Sequence, residues 1–171
     1  MNERSGLVTI HGNPLTLLGK EVSAGDRAPE FTALNNDLDP VKLSAFKGKT
    51  CVLASVPSLD TPVCSVETRK FNEMVTQMGQ DVVVLTLSMD LPFAQKRWCG
   101  ANGIERVITL SDHREGEFGT AYGVLIKGLR LLARAVFVVD RGGVVRYTQL
   151  VSEATNEPDY EAVMQAVKAI A

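Results

Sequence analysis

The chain has little cysteine, little histidine and no long apolar run, and each shortage excludes a class of protein. Three cysteines and two histidines occur in 171 residues, and no two cysteines have C-x-x-C spacing. Such a set is too small and too odd in number for a disulfide framework, and it gives poor support to a structural zinc site. No apolar stretch approaches the roughly 20 residues of a membrane helix, and residues 1–6 lack the apolar core of a signal peptide.

The chain also lacks a large excess of positive or negative charge, because the formal net charge is −2. This balance gives no electrostatic basis for binding nucleic acid or an anionic membrane. We therefore expect a cytoplasmic protein in a reducing compartment, with no metal, no cofactor, no nucleic-acid partner and no membrane partner. The length and the 45% hydrophobic content predict a single globular domain over residues 1–171.

The order of apolar runs predicts the fold class. Continuous apolar runs at 51–56, 81–88, 107–110 and 133–140 are typical of strands that are buried on both faces. Helical spacing follows at 65–78, 92–99 and 158–171, with a short helix at 117–122. Weaker strand signals lie at 7–10, 15–18, 30–34, 41–43 and 144–150. Strands that alternate with helices, then a hairpin and a helix, predict an α/β sandwich with a mixed central sheet.

Two turns complete this prediction. Gly12, Asn13 and Pro14 supply the turn of an N-terminal β-hairpin. Arg141, Gly142 and Gly143 connect the strand at 133–140 with its antiparallel neighbour at 144–150.

Cys64 is the leading candidate for chemistry. The apolar run 51–56 leads into a proline-containing loop, and a helical run follows Cys64, which places its thiol at or just inside a helix N-terminus. Unpaired N–H groups and the helix dipole favour an anion there, and the thiolate is the nucleophilic form of cysteine. The alternative is an inert buried thiol. Thr61 would hydrogen-bond the thiolate or a substrate oxygen, or it would simply cap the helix.

The remaining cysteines and histidines carry weaker signals. Cys51 begins a buried strand, so we interpret it as structural. Cys99 by itself indicates a residue of a helix core. His11 and His113 fall in a turn and a loop, and no neighbouring carboxylate makes either of them a general base.

Several separate motifs resemble one family. The pattern Pro57-x-x-x-Thr61-x-x-Cys64 is similar to the active-site motif of the peroxiredoxins, and the full string 57–64 resembles their bacterial thiol peroxidase branch, an atypical two-cysteine group. Residues 90–100 resemble the helix with the resolving cysteine in that branch, and residues 133–136 its distal active-site arginine segment. Residues 11–14 and 157–161 resemble its two ends, so the similarity covers nearly the whole chain.

The resemblance implies a thioredoxin-like fold with an N-terminal hairpin and a thiol-dependent peroxidase that acts on hydrogen peroxide and organic hydroperoxides in antioxidant defence. Cys64 would be the peroxidatic cysteine and form a sulfenic acid. Cys99 would be the resolving cysteine and form an intramolecular Cys64–Cys99 disulfide, which thioredoxin would reduce. The branch also implies a homodimer.

Physical chemistry supports roles for three further residues around the peroxide. Arg134 is always charged and offers fixed donors, so it would orient the peroxide and stabilise the thiolate. Its alternative is a structural arginine, which requires a buried partner because it falls within a predicted apolar strand. Pro57 would shield the thiolate and shape the pocket, or it would only end the strand. Thr61 would join Arg134 in binding peroxide.

Two alternatives to a peroxidase remain open at this point. A thioredoxin-like disulfide reductase is disfavoured because Glu67 stands where the second cysteine of C-x-x-C would be. A non-catalytic redox sensor would use Cys64 to relay oxidation to a partner protein.

Overall fold

The computed structural model describes residues 1–171 as ten β-strands, four α-helices and one short 3-10 helix. The strands are β1 (Glu3–Ile10), β2 (Asn13–Leu18), β3 (Thr32–Leu34), β4 (Pro40–Lys42), β5 (Thr50–Ser55), β6 (Val82–Ser88), β7 (Ile108–Ser111), β8 (Leu125–Ile126), β9 (Ala135–Val139) and β10 (Val145–Leu150). The helices are α1 (Pro62–Met78), α2 (Pro92–Asn102), α3 (Glu117–Ala121) and α4 (Tyr160–Ala169), and the 3-10 helix spans Leu43–Phe46.

Seven strands form one mixed sheet in the order β10-β9-β5-β6-β7-β3-β4. Strands β5, β6 and β7 run parallel to one another, whereas β9 pairs antiparallel with β5. The mixed central sheet is therefore confirmed. Because β5 and β6 are parallel neighbours, the loops that follow them meet at the same edge of the sheet, and these loops precede the helices that carry Cys64 and Cys99.

Both faces of the central sheet are buried, which explains why its strands are continuously apolar rather than alternating. Along β5, Leu53 belongs to a cluster with Phe118 of α3, while Val52 and Ala54 belong to a second cluster with Phe71 of α1. Helix α4 adds Val163 and Val167 to the second cluster. The helices α1 and α4 therefore cover one face of the sheet, and α3 packs on the other.

A separate three-stranded sheet contains the predicted N-terminal hairpin, in the order β1-β2-β8. The hairpin is confirmed, but its predicted turn is wrong: the turn is His11–Gly12, and Asn13 and Pro14 already belong to β2. Both turn residues have positive φ. Glycine adopts positive φ readily, whereas proline cannot, so the turn lies before Pro14 and does not include it. Strand β8 was not predicted, because two residues leave no periodicity to detect.

Several predicted boundaries also differ from the structure, and β1, predicted at 7–10, already begins at Glu3. The helix predicted from residue 65 begins at Pro62, since proline is well suited to the first helical turn and Thr61 caps it. Strand β9 begins at Ala135, so Arg134 precedes the strand rather than lying within it. The run predicted as a strand at 30–34 is extended only from Thr32.

No helix of the structure is long and apolar enough to cross a membrane.

Candidate active site

Cys64 is the third residue of α1 and is completely buried. Thr61 caps the helix: its hydroxyl oxygen accepts the N–H of Cys64 at 3.3 Å and its carbonyl accepts the N–H of Ser65. The predicted helix terminus is confirmed, but the N–H of Cys64 is not free to bind an anion in this state. The electrostatic support of the sulfur therefore comes mainly from elsewhere.

The hydroxyl group of Thr61 both accepts and donates a hydrogen bond. Besides accepting from Cys64, it donates to the carbonyl oxygen of Ser58 at 3.0 Å. The helix-capping interpretation of Thr61 is thus confirmed, and the same contacts hold its hydroxyl within the first turn that carries the thiol. The hydroxyl oxygen keeps a second lone pair that can accept a peroxide O–H, whereas donation to a substrate oxygen would have to replace the bond to Ser58.

Arg134 provides the charge beside the sulfur. Its Nη2 donates to Cys64 Sγ at 3.2 Å, and Nη2 and Nε also donate to the carbonyl oxygen of Ala154 at 2.8 and 3.2 Å. Only 1% of Arg134 is exposed. A guanidinium fixed by a carbonyl in this way cannot turn away from the sulfur, and it holds a positive charge beside it.

Glu67 is the buried partner that the apolar surroundings of Arg134 required. Its Oε1 lies 3.6 Å from Arg134 Nη1, an ion-pair distance longer than a hydrogen bond. Burial raises the pKa of Glu67 to about 8, and the positive charge of Arg134 opposes that rise. Neither carboxyl oxygen of Glu67 has a hydrogen-bond partner. Sequence reasoning treated Glu67 only as a missing cysteine, although its i+3 spacing puts it on the helix face of Cys64.

Asp90 is a second residue that sequence reasoning missed, and it fixes the loop before Cys64. Its carboxylate accepts the hydroxyl of Ser58 at 2.7 Å, the N–H of Leu59 at 2.8 Å and the hydroxyl of Ser88 at 2.8 Å. Asp90 follows β6, the parallel neighbour of β5, so the order of the strands could have placed the two loops together. One carboxylate thereby links the Cys64 loop to the segment that enters α2.

Cys99 lies near the end of α2 and is half-buried, with its sulfur 3.5 Å from the hydroxyl oxygen of Thr109. All three cysteines are free thiols. Trp98 packs against both the small cluster that contains Cys64 and the larger cluster that Cys99 borders. The structure thus brings Thr61 and Arg134 into contact with Cys64, whereas Cys99 is not bonded to Cys64.

Pro57 and Cys51 are both buried, as their structural interpretations predicted. Pro57 is buried at the start of the loop after β5. Cys51 is buried in β5, and burial raises the pKa of its thiol to about 11, with an opposing effect of Lys49. A thiol of this kind is neutral and unreactive near neutral pH.

Comparison with known proteins agrees with this geometry. The family model described as Redoxin matches residues 23–164. The thiol peroxidase of Bacillus subtilis is 56% identical over 163 residues, 95% of this chain and 97% of that protein. The thiol peroxidase of Oceanobacillus iheyensis is 59% identical over 157 residues, 92% of this chain and 95% of its own length.

A solved structure supports the same assignment. The crystal structure of a peroxiredoxin-like protein from Aquifex aeolicus superposes with a TM-score of 0.91 at 46% identity, over 98% of this chain and 99% of that one. The predicted thioredoxin-like architecture is therefore confirmed. From its matched family model, its relatives and its fold, the chain belongs to the Redoxin family, in the thiol peroxidase branch that its motifs resemble.

Proposed function

We propose that the chain is a thiol-dependent peroxidase that reduces hydrogen peroxide and organic hydroperoxides. The Cys64 thiolate attacks one peroxide oxygen, the O–O bond breaks, and its electron pair leaves with the other oxygen. Cys64 becomes a sulfenic acid, and the departing oxygen takes up a proton to become water or an alcohol. The sulfur is thereby oxidised by two electrons and the peroxide is reduced by two.

The observation that carries this proposal is the 3.2 Å hydrogen bond from Arg134 Nη2 to the Cys64 sulfur. A fixed positive charge at that place stabilises the attacking thiolate and then the negative charge that develops on the departing oxygen. Thr61 is within reach of the same centre, since its hydroxyl binds the N–H of Cys64. Pro57, buried beside them, would keep water from the thiolate.

We further propose that Cys99 resolves the sulfenic acid. Its thiol would attack the Cys64 sulfur, release water and form a Cys64–Cys99 disulfide, which the dithiol of a thioredoxin would reduce by exchange. Recycling of this kind fits a reducing compartment such as the cytoplasm. Bridging requires the two Cα atoms to come within about 7 Å, so α1, α2 or both unwind locally.

Steady-state peroxide consumption with a thioredoxin reducing system tests the whole cycle. We expect Cys64→Ser to abolish turnover, and Cys99→Ser to allow one round of oxidation but not thioredoxin-linked turnover. Cys51→Ser is the matched control and should cycle normally. Mass spectrometry of the peroxide-treated protein should find a link between positions 64 and 99. Full cycling of Cys99→Ser would contradict the resolving role.

The alternatives predict different results in the same assay. A disulfide reductase or a redox sensor has to offer its sulfur to a partner protein, and the completely buried Cys64 disfavours both in the reduced fold. A sensor would be oxidised once by peroxide without thioredoxin-linked turnover. A reductase would reduce insulin disulfides, for which we expect no activity.

A homodimer remains part of the proposal. Leu91 and Phe93, at the start of α2, are 53% and 67% exposed, and exposed apolar side chains of this size favour an interface between proteins. Sedimentation velocity should give a dimer whose dissociation is promoted by Phe93→Glu. The control Leu129→Glu replaces another half-exposed apolar side chain (52%). Equal effects of the two substitutions, or a monomeric parent protein, would contradict this interface.

A further inference from the structure

A cavity lies at the edge of the central sheet opposite to Cys64. It has a volume of about 310 Å³ and opens where Cys51 at the start of β5 pairs with Val139 at the end of β9. Cys64 follows the other end of β5, so the two places are separated by the length of the strand. A volume of this size is at the lower end of the roughly 300–1,000 Å³ typical of small-molecule sites.

Positive charge predominates around this cavity. Its lining includes the cations Arg27, Lys47, Lys49 and Arg141 but only two acidic residues, in a chain whose formal net charge is −2. Arg141 is paired with Asp81 outside the lining, whereas Arg27, Lys47 and Lys49 take part in no ion pair.

The two acidic residues of the lining accept hydrogen bonds from other groups of the protein. Asp140 accepts the N–H groups of Gly142 and Val144 and the Nε–H of Arg146. Glu30 accepts the N–H groups of Phe31 and Ser44. Neither carboxylate forms an ion pair with Arg27, Lys47 or Lys49, so these three cations have no counter-ion in the lining.

The interior of the cavity is apolar. Leu43 and Phe46 of the 3-10 helix, Ala28 and Val139 line it. The Cys51 thiol lies at its base, only 3% exposed, and its sulfur is 3.8 Å from the carbonyl oxygen of Lys49. An apolar interior with a cationic rim suits a ligand that has both an apolar body and an acidic group.

We propose that this cavity binds a small amphiphilic anion, with its apolar body on Phe46 and Leu43 and its acidic group at Arg27, Lys47 and Lys49. The site is distinct from the peroxide site and is independent of the chemistry at Cys64. A ligand without a negative charge cannot form ion pairs with these three cations and would bind only through apolar contacts.

Two-dimensional ¹H–¹⁵N NMR with 2-naphthoate, and with the neutral 2-naphthamide as a matched probe, tests the proposal. We expect naphthoate to shift the amide signals of Lys47, Cys51, Gly142 and Gly143 and to bind more weakly as salt is added. Naphthamide should shift them far less. In Lys47→Glu/Lys49→Glu the affinity for naphthoate should fall by about tenfold or more, because two attractive charges become repulsive.

The control Lys20→Glu/Lys168→Glu makes the same change of net charge at exposed lysines outside the cavity and should bind naphthoate like the parent protein. Both double variants should retain peroxidase activity, and their NMR spectra report whether they are folded. Any of three results would overturn the proposal: equal binding of naphthamide, equal loss in the control, or no shift at the cavity with millimolar naphthoate.

Discussion

Arg134 donates hydrogen bonds to a sulfur and a carbonyl oxygen and lies at ion-pair distance from a carboxylate, all of them inside the protein. The carbonyl of Ala154 fixes the guanidinium, and Cys64 and Glu67 then compete for its charge. An ionised Glu67 would weaken the hold of Arg134 on the thiolate, whereas a protonated Glu67 leaves that charge to Cys64. The raised pKa of Glu67, about 8 through burial, keeps the carboxyl mainly protonated at neutral pH.

Removal of Arg134 should slow the reaction of Cys64 with peroxide. Arg134→Ala alone also removes the cation that faces the buried Glu67 carboxyl, which mixes an effect on Glu67 with the effect on Cys64. The double variant Glu67→Gln/Arg134→Ala removes the titratable carboxyl and so separates the two effects. Relative to Glu67→Gln, we expect its rate constant for sulfenic acid formation to fall by about 10²- to 10³-fold, as for the loss of one preorganised donor.

Stopped-flow fluorescence of Trp98 at stoichiometric peroxide measures this rate constant. Circular dichroism of each variant provides the control for folding. A double variant that reacts as fast as Glu67→Gln would show that Arg134 is structural.

Glu67 should also make stability depend on pH. Burial raises its pKa from the usual 4.5 to about 8 in the folded protein, so between these pH values the folded state holds a proton that the unfolded state has lost. The free energy of unfolding therefore falls as pH rises from about 4.5 to 8. Glu67→Gln cannot ionise and should show a flatter profile over this window.

Urea denaturation at pH 5 and at pH 8 measures the effect, as the difference between the two proteins. The comparison isolates Glu67 from Asp112, whose pKa burial raises to about 6, because Asp112 is present in both. Parallel profiles for the two proteins would contradict the buried protonated state.

Among the helices, α1 and α2 are anchored very differently. Helix α1 buries seven of its 17 residues, whereas α2 buries only Pro92 and Gln95 among 11. The last turn of α2 depends on the N–H groups of Gly103 and Ile104, which both donate to the carbonyl oxygen of Cys99. Local unfolding begins where few side chains are buried, so we expect α2 rather than α1 to move when the proposed disulfide forms.

Hydrogen exchange of the reduced protein should report this difference. We expect the amides of residues 98–104 to exchange faster than those of residues 67–75 in α1, since opening of α2 exposes little apolar surface. After peroxide treatment the contrast should increase, because the disulfide holds the end of α2 open. Protection of 98–104 that equals that of α1 in both redox states would show that α2 does not open.

Long apolar segments explain how much of these elements could be predicted from the sequence. Strands β5, β6 and β9 are mainly apolar runs of five residues or more and helix α1 has helical periodicity, and all were predicted. The two residues of β8 and the positive-φ turn at His11–Gly12 depend on pairing with distant segments, which leaves no local pattern. The same holds for the contacts of Asp90 with Ser58 and Leu59, which only the neighbouring order of β5 and β6 creates.

For the whole molecule, a Cys64–Cys99 disulfide has two opposing effects on stability. It closes a loop of about 36 residues and would stabilise the protein by roughly 4 kcal/mol through the entropy of the unfolded chain. Unwinding of the end of α2, which we propose for its formation, would disturb the packing of Trp98 against both clusters. The reduced fold has neither effect, since its cysteines are free.

Oxidation should therefore raise the free energy of unfolding by clearly less than about 4 kcal/mol, because the lost helix and packing offset part of the constraint. Urea denaturation of the peroxide-treated and dithiothreitol-treated protein measures the difference. Cys99→Ser is the control, since it cannot form the bridge and should show no such gain after the same treatment. A full gain, together with unchanged exchange in α2, would mean that the bridge forms without unwinding. If oxidation raises the free energy of unfolding only slightly, the disulfide is also easier to reduce, as a catalytic cycle requires.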